Sequence, residues 1–288
     1  MGETNEKLRL EVMICTYGLE GIGRLASLEH PRICGVRYLI SWQTGGASPK
    51  DVPPEIAERA DMKVASWDDR GLSRNRNHCL DLAIAPAVLI SDDDMSYRAD
   101  ELEALAAEFE RRPEADLITF RHKETEVTRQ YPEHGFPLSR IPKNYSVCSV
   151  DMAFRPERVR ARGLRFKEYF GADNYLASGE DTLFFYDMIN NGLQGVYLPL
   201  SVGCHHGIST GMRDMHRPSF IASKGAVISH LHPLTWPLRL LAHVRRDSGE
   251  YPRLSPEEYI KAWLSGVAHA RRHKVFSRSF TRSRAGNR

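Results

Sequence analysis

The chain has no run of the roughly 18 apolar residues that a membrane-spanning helix requires. Its opening, MGETNEKLRLEV, lacks the basic-then-apolar pattern of a secretory signal. Cysteine is sparse: Cys15, Cys34, Cys79, Cys148 and Cys204 are an odd number, widely spaced and without a CxxC pair, which argues against a disulfide framework or a zinc ribbon. These absences predict a soluble, cytoplasmic protein that touches a membrane at most peripherally, on its inner face. Internal repeats are also missing. Acidic residues are absent after Glu258, where Lys261, Arg271, Arg272, Lys274, Arg278, Arg282, Arg284 and Arg288 lie. Removing these 8 from the 40 Lys and Arg leaves 32 basic against 37 acidic residues. An acidic body therefore carries a basic tail. A one-ended charge with no aromatic-interleaved motif predicts no nucleic-acid partner.

What is present is an alternation of short apolar runs with helical patterns. LRLEVMIC (8 to 15), VRYLISW (36 to 42), MKVAS (62 to 66), AVLIS (87 to 91), DLITF (116 to 120) and GVYLP (195 to 199) read as buried strands. ADELEALAAEFERR (99 to 112) reads as a helix with Asp100 as N-cap and Glu103 as its capping-box partner. Such a βαβα order predicts an α/β fold with a mainly parallel sheet flanked by helices, whose ligands bind outside the carboxyl ends of the strands. The Pro-rich segment 122 to 146 reads as a long loop of functional kind. From about residue 212 the pattern turns helical, and Ser255 followed by Pro256 and acids marks a strong helix start. The expected division is a catalytic domain over 1–211 and a helical extension with the basic tail over 212–288.

Four segments carry chemistry. LISDDDM (89 to 95) sets Asp92, Asp93 and Asp94 at a strand end. An isolated acidic pair would read as a solvated turn, but three adjacent carboxylates repel one another and ask for a cation. Hard oxygen ligands suit Mg²⁺ or Mn²⁺, held by one or two carboxylates and substrate phosphates. In WDDRGLSRNRN (67 to 77), Gly71 allows a sharp turn and Ser73 can cap the next helix. Arg74, Arg76 and Asn77 then form either a phosphate-friendly helix start or an ordinary exposed one. ASGEDTLFFYDMINNG (177 to 192) puts Glu180 and Asp181 in the first turn of a helix. There they either complement the helix dipole or supply a general base. In VGCHHGISTG (202 to 211), His205 and His206 lie between glycines, and one imidazole nitrogen can complete a metal shell.

Taken in order, MICTYGLEG, GLSRNRN, ISDDD, GED and HHGISTG resemble the GT-A glycosyltransferases of family 2, inverting enzymes that use nucleotide-sugar donors. The resemblance spans residues 8 to about 211 and implies a Rossmann-like GT-A domain. By it, Thr16 and Tyr17 match the nucleotide-touching loop after the first strand, and Gln43 stands where many members carry an acidic or Asn-Gly-Ser element. The donor side is expected to draw on Thr16, Tyr17, Gln43, Asp69, Arg74, Asn77, Asp92 and Asp93. Asp92 and Asp94 match the DxD motif, with Asp92, Asp94 and His205 implied as ligands of Mn²⁺ or Mg²⁺ and His206 as a rival for the last place. Asp181 matches the catalytic base, with Glu180 beside it. The implied partners are a nucleotide-diphosphate sugar and a saccharide or lipid-linked saccharide acceptor, in surface-polysaccharide synthesis of bacterial type. A nucleotidyltransferase on a related sheet would need no helix-borne base. A non-catalytic nucleotide-sugar-binding module would tolerate loss of Asp181. The segment 231 to 246 reads either as core-packing or as a helix lying on a membrane.

Overall fold

The computed structural model describes residues 7–126, 129–143, 145–207, 213–214, 217–250 and 254–276. The chain divides into two compact units, Met1–Glu168 with Glu180–Ser209, and Tyr169–Gly179 with Thr210–Arg288. The expected boundary at 211/212 falls outside the described residues, and the stretch 169–179 groups with the helices of the second unit.

The first unit is built on strands β1 (Leu10–Tyr17), β2 (Val36–Gln43), β3 (Met62–Trp67) and β4 (Ala87–Asp92), which pair in parallel in the order β3-β2-β1-β4. The apolar runs of β1, β2 and β4 are nearly continuous because both faces of the sheet are covered there, while the edge strand β3 is only partly buried. In β1, Leu10, Val12 and Ile14 enter one core, while Met13 and Cys15 enter the other. Helices α1 (Gly18–Ser27), α2 (Pro54–Ala57) and α3 (Leu72–Leu82) make the connections. Beyond β4 the sheet becomes mixed. A short β5 (Met95–Ser96) leads into α4 (Ala99–Arg111), followed by β6 (Leu117–Glu124), β7 (Phe136–Pro137) and β8 (Met152–Phe154). Next come α5 (Pro156–Ala161), α6 (Glu180–Asn190) and β9 (Gly195–His205). β8 runs antiparallel to both β4 and β6, β9 runs parallel to β6, and β5 and β7 pair antiparallel with β9.

Two expected caps are corrected. Helix α3 begins after Gly71, whose φ of +118° is a backbone setting that side chains disfavour. Ser73 lies inside the helix, buried, rather than capping it. Helix α4 is capped at Arg98, whose backbone N–H donates to Glu101 at 3.2 Å. Asp100 accepts the Arg98 guanidinium instead of a backbone N–H. The expected long loop 122 to 146 starts later, because β6 runs on to Glu124 and is broken by the β7 pair.

The second unit contains α7 (Pro218–Leu231), α8 (Trp236–Glu250) and α9 (Pro256–Arg272). Ser255 caps α9, accepting the Glu258 N–H at 3.2 Å, while the Glu258 carboxylate accepts the Ser255 N–H at 2.8 Å. Ile221, Leu240, Tyr259, Trp263 and Val267 form its core. Helices α7 and α9 approach so closely that a Cβ on Gly266 would lie 1.8 Å from the Ala222 carbonyl oxygen. The basic tail from residue 277 lies outside the described residues.

Candidate active site

Parallel pairing brings the carboxyl ends of the first strands to one edge. Cys15 is opposite Asp92, Thr16 opposite Trp42, and Tyr17 opposite Gln43, so these sequence-distant residues are neighbours by register. The three aspartates after Ser91 have different roles. Asp92 accepts Arg76 Nη2 at 3.1 Å. Asp93 accepts the Thr16 hydroxyl at 2.6 Å and lies 3.6 Å from Arg24. Burial pushes the Asp93 carboxyl up to about 6 against the opposing pull of Thr16 and Arg24. Asp94 Oδ2 lies 3.2 Å from His205 Nε2.

The Asp94–His205 pairing follows from backbone geometry. Met95 of β5 is paired with His205 of β9, and the His206 N–H donates to the Asp94 carbonyl at 2.9 Å. His206 itself turns its ring to Ser96, with Nε2 2.7 Å from the hydroxyl. The hydrogen bond to Asp94 raises the His205 pKa, with burial opposing it. Ser209, Thr210 and Gly211, which complete the late-His pattern, lie outside the described residues.

Asp94 Oδ1 and His205 Nδ1 are both buried without a hydrogen-bond partner. An orphaned carboxylate oxygen and an orphaned imidazole nitrogen on two residues already in contact are donor types that fit a divalent cation. Among the described residues no group of three or more His, Cys, Asp or Glu side chains is set to hold a metal by protein ligands alone. The expected ligand set Asp92, Asp94 and His205 is therefore not gathered as one group: Asp94 meets His205, while Asp92 accepts Arg76.

Facing this edge is the start of α6. Glu180 Oε1 accepts Arg76 Nη1 at 3.0 Å, and its other oxygen has no partner. Asp181 Oδ1 accepts the Thr182 N–H at 2.6 Å, which holds the carboxylate rigidly. Burial raises both carboxyl groups, the Asp181 charge adds to the effect on Glu180, and Arg76 opposes it in both. Arg76 also donates to Ser149 at 2.9 Å and is 1% exposed. Burial works against its charge, but Asp92 and Glu180 outweigh this and raise its pKa. One guanidinium therefore ties the acidic triplet to the acids of α6.

The other expected donor residues are dispersed. Thr16 and Asp93 are bonded to each other, while Tyr17 is 42% exposed with the Arg70 guanidinium 5.4 Å over its ring. Gln43 is buried and donates weakly to the Gly71 carbonyl at 3.4 Å. Asp69 accepts Arg74 at 3.1 Å. Asn77 is buried, accepting the Phe166 N–H at 2.9 Å and donating to the Phe166 carbonyl and Glu168 at 3.0 Å, so its amide braces the segment around Phe166. Asp69, Arg74 and Asn77 line a cavity of about 260 Å³ with Trp67, His78, Asp81, Arg165 and Glu168. The acidic triplet and Asp181 are not among its walls.

A second polar network was not singled out in the sequence. Buried His122 lies 2.7 Å from Asp151 Oδ1 through Nδ1 and 3.2 Å from Glu124 through Nε2. Tyr131 donates to Asp151 at 3.0 Å. Arg129 hydrogen-bonds Cys148 and Ser146, and its charge acts on Asp181. The imidazoles of His122 and His205 are 6.3 Å apart, centre to centre, which joins this network to the Asp94 side. No periodicity marks these residues; a His in the polar end of a strand was the available signal.

Residues 46–174 match the family model described as Glycosyl transferase family 2. Among solved structures, the fold is similar to S. aureus TarS 1-349, with 15% identity over 92% of each chain and a TM-score of 0.58. It is similar as well to the complex of that protein with UDP, with 17% identity over 93% of this chain and 88% of that one and a TM-score of 0.59. For the UDP-GlcNAc complex the values are 15%, 90%, 82% and 0.59. No curated protein matches the chain. The matched segment contains the acidic triplet and Arg76, and the sheet that holds them has the GT-A-type fold of these solved structures.

Proposed function

We propose that this chain is an inverting glycosyltransferase that moves a sugar from a uridine-diphosphate sugar to a hydroxyl of a glycan or lipid-linked saccharide. Its setting would be surface-polysaccharide synthesis on the cytoplasmic side of a membrane. The observation that carries the reading is the Arg76 bridge, which couples Asp92 on the donor side to Glu180 beside Asp181. The structures of TarS with UDP and with UDP-GlcNAc support the choice of donor class.

In this reading Asp181, held by Thr182 and desolvated, takes the proton from the acceptor hydroxyl as that oxygen attacks the anomeric carbon. Its raised pKa strengthens it as a base. Attack on the face opposite the leaving diphosphate inverts the centre through an oxocarbenium-like state. Glu180, bonded to Arg76, holds the start of α6 against the donor-side carboxylates. Asp94 and His205, with Asp92 adjacent, would hold Mn²⁺ or Mg²⁺, which when bound supplies Lewis-acid neutralisation of the departing diphosphate.

Incubation with UDP-sugars and a panel of saccharide acceptors, read by UDP release and by NMR of the new anomeric proton, tests this. Release of UDP with an inverted linkage is expected. A retained configuration, or release of pyrophosphate in place of UDP, would overturn it.

A further inference from the structure

Helix α8 is apolar on two opposite sides. Trp236, Leu240 and Val244 face inward and pack with Ile221, Tyr259 and Trp263. On the other side Leu238 is 69% and Leu241 58% exposed, and Leu234, in the turn that leads into the helix, is 93% exposed. A step of three residues puts Leu238 and Leu241 on one stripe of the helix, with Leu234 exposed in the turn just before it. Single exposed leucines are ordinary, but three so close together are not.

Charge decides what such a stripe meets. Arg239, Arg245 and Arg246 follow on the same helix and are exposed. Asp247 is buried, where it accepts Arg246 at 2.8 Å, Tyr259 at 2.5 Å and Lys224 at 3.3 Å, so that of these arginines Arg246 is the one paired with it. A second copy set against this face would bring arginine against arginine, whereas lipid phosphates would meet the same arginines with opposite charge while the acyl region takes the leucines. Among the described residues no helix is long and apolar enough to cross a membrane. The element would therefore lie along the surface rather than span it.

We propose that α8 and the turn at Leu234 form a docking surface for an anionic lipid membrane. The surface is independent of the chemistry at Asp94 and Asp181, so its failure and failure of the transfer reading are separate results.

The test sediments the full chain with vesicles of phosphatidylglycerol and phosphatidylcholine, or of phosphatidylcholine alone. The native chain should bind the first and leave the second. Leu238→Glu with Leu241→Glu should lower the apparent affinity for anionic vesicles by about tenfold or more, since buried apolar area is lost while every arginine is kept. Leu238→Phe with Leu241→Phe should bind as the native chain does. Both positions are exposed, and an unchanged melting temperature confirms that the fold persists. Equal vesicle binding by the glutamate variant would overturn the proposal and assign the attraction to basic residues alone. A concentration-dependent dimer dissolved by the glutamate variant, with no vesicle binding by the native chain, would overturn it in favour of a second copy.

Discussion

Arg76 and Glu180 meet at 3.0 Å in the interior, although 104 residues of chain separate them. A buried ion pair of this kind contributes little net stability while intact, yet is costly to break from one side. Arg76→Met leaves Glu180 and Asp92 without their common partner, and unfolding in urea should show a loss of about 3–5 kcal/mol. A loss below about 1 kcal/mol would mean that water already screens both carboxylates.

Asp181→Asn keeps the shape of the side chain and its acceptor oxygen for Thr182, but removes the proton acceptor. Turnover should fall by roughly 10²- to 10⁴-fold. The melting-temperature rise caused by the UDP-sugar should be retained, because the change lies on the acceptor side of the reaction. If donor binding fell in parallel with turnover, Asp181 would belong to the donor site instead.

Asp94→Asn and His205→Ala should each abolish the extra thermal stabilisation that Mn²⁺ adds to UDP, whereas His206→Ala, whose ring is bonded to Ser96, should keep it. Calorimetric scans with UDP, with and without Mn²⁺, measure this directly. Equal loss in the His206 and His205 variants would contradict the assignment.

Asp93 gives a pH signature. Its carboxyl lies near 6 in the native state against an ordinary 3.8, so the native protein holds more protons than the unfolded chain between those values. Stability from this group is therefore lost as pH rises through that window. Asp93→Asn, which cannot ionise, should gain on the native sequence by up to about 3 kcal/mol above pH 7, and the gain should vanish below about pH 4. Denaturation in EDTA at three pH values checks it. A constant difference between the two proteins would sink the idea.

Gly266→Ala should destabilise the second unit by more than ~2 kcal/mol, because the new methyl group meets backbone rather than a movable side chain. Gly23→Ala, where nothing lies within 4 Å of the added carbon, is the control. Thermal melts of both variants separate the close crossing from a general effect of glycine replacement.

What was legible in the sequence was what neighbouring residues settle among themselves. The runs around Val12, Leu39 and Leu89 are buried on both faces and read at once as strands. The Ser255 cap declares itself within four residues. The acids at 92–94 and 180–181 stand where local pattern placed them, at a strand end and a helix start. What escaped reading depends on distant partners. Arg76 looked like a phosphate ligand until the fold brought Asp92, Ser149 and Glu180 around it. The His122–Asp151–Tyr131 network joins three stretches with no shared period. Ser73 was a plausible cap by residue type, but the positive φ at Gly71 starts the helix two residues earlier and draws Ser73 inside.

The short ladder between Met95 and His205 has an outcome for how such a chain can diversify. Two rungs, Met95 with His205 and Ser96 with Cys204, index the late histidine to the aspartate triplet through main-chain atoms across the 107 residues between Ser96 and Cys204. The stretch between β7 and β8 can change in length without moving that alignment, because neither rung draws on it.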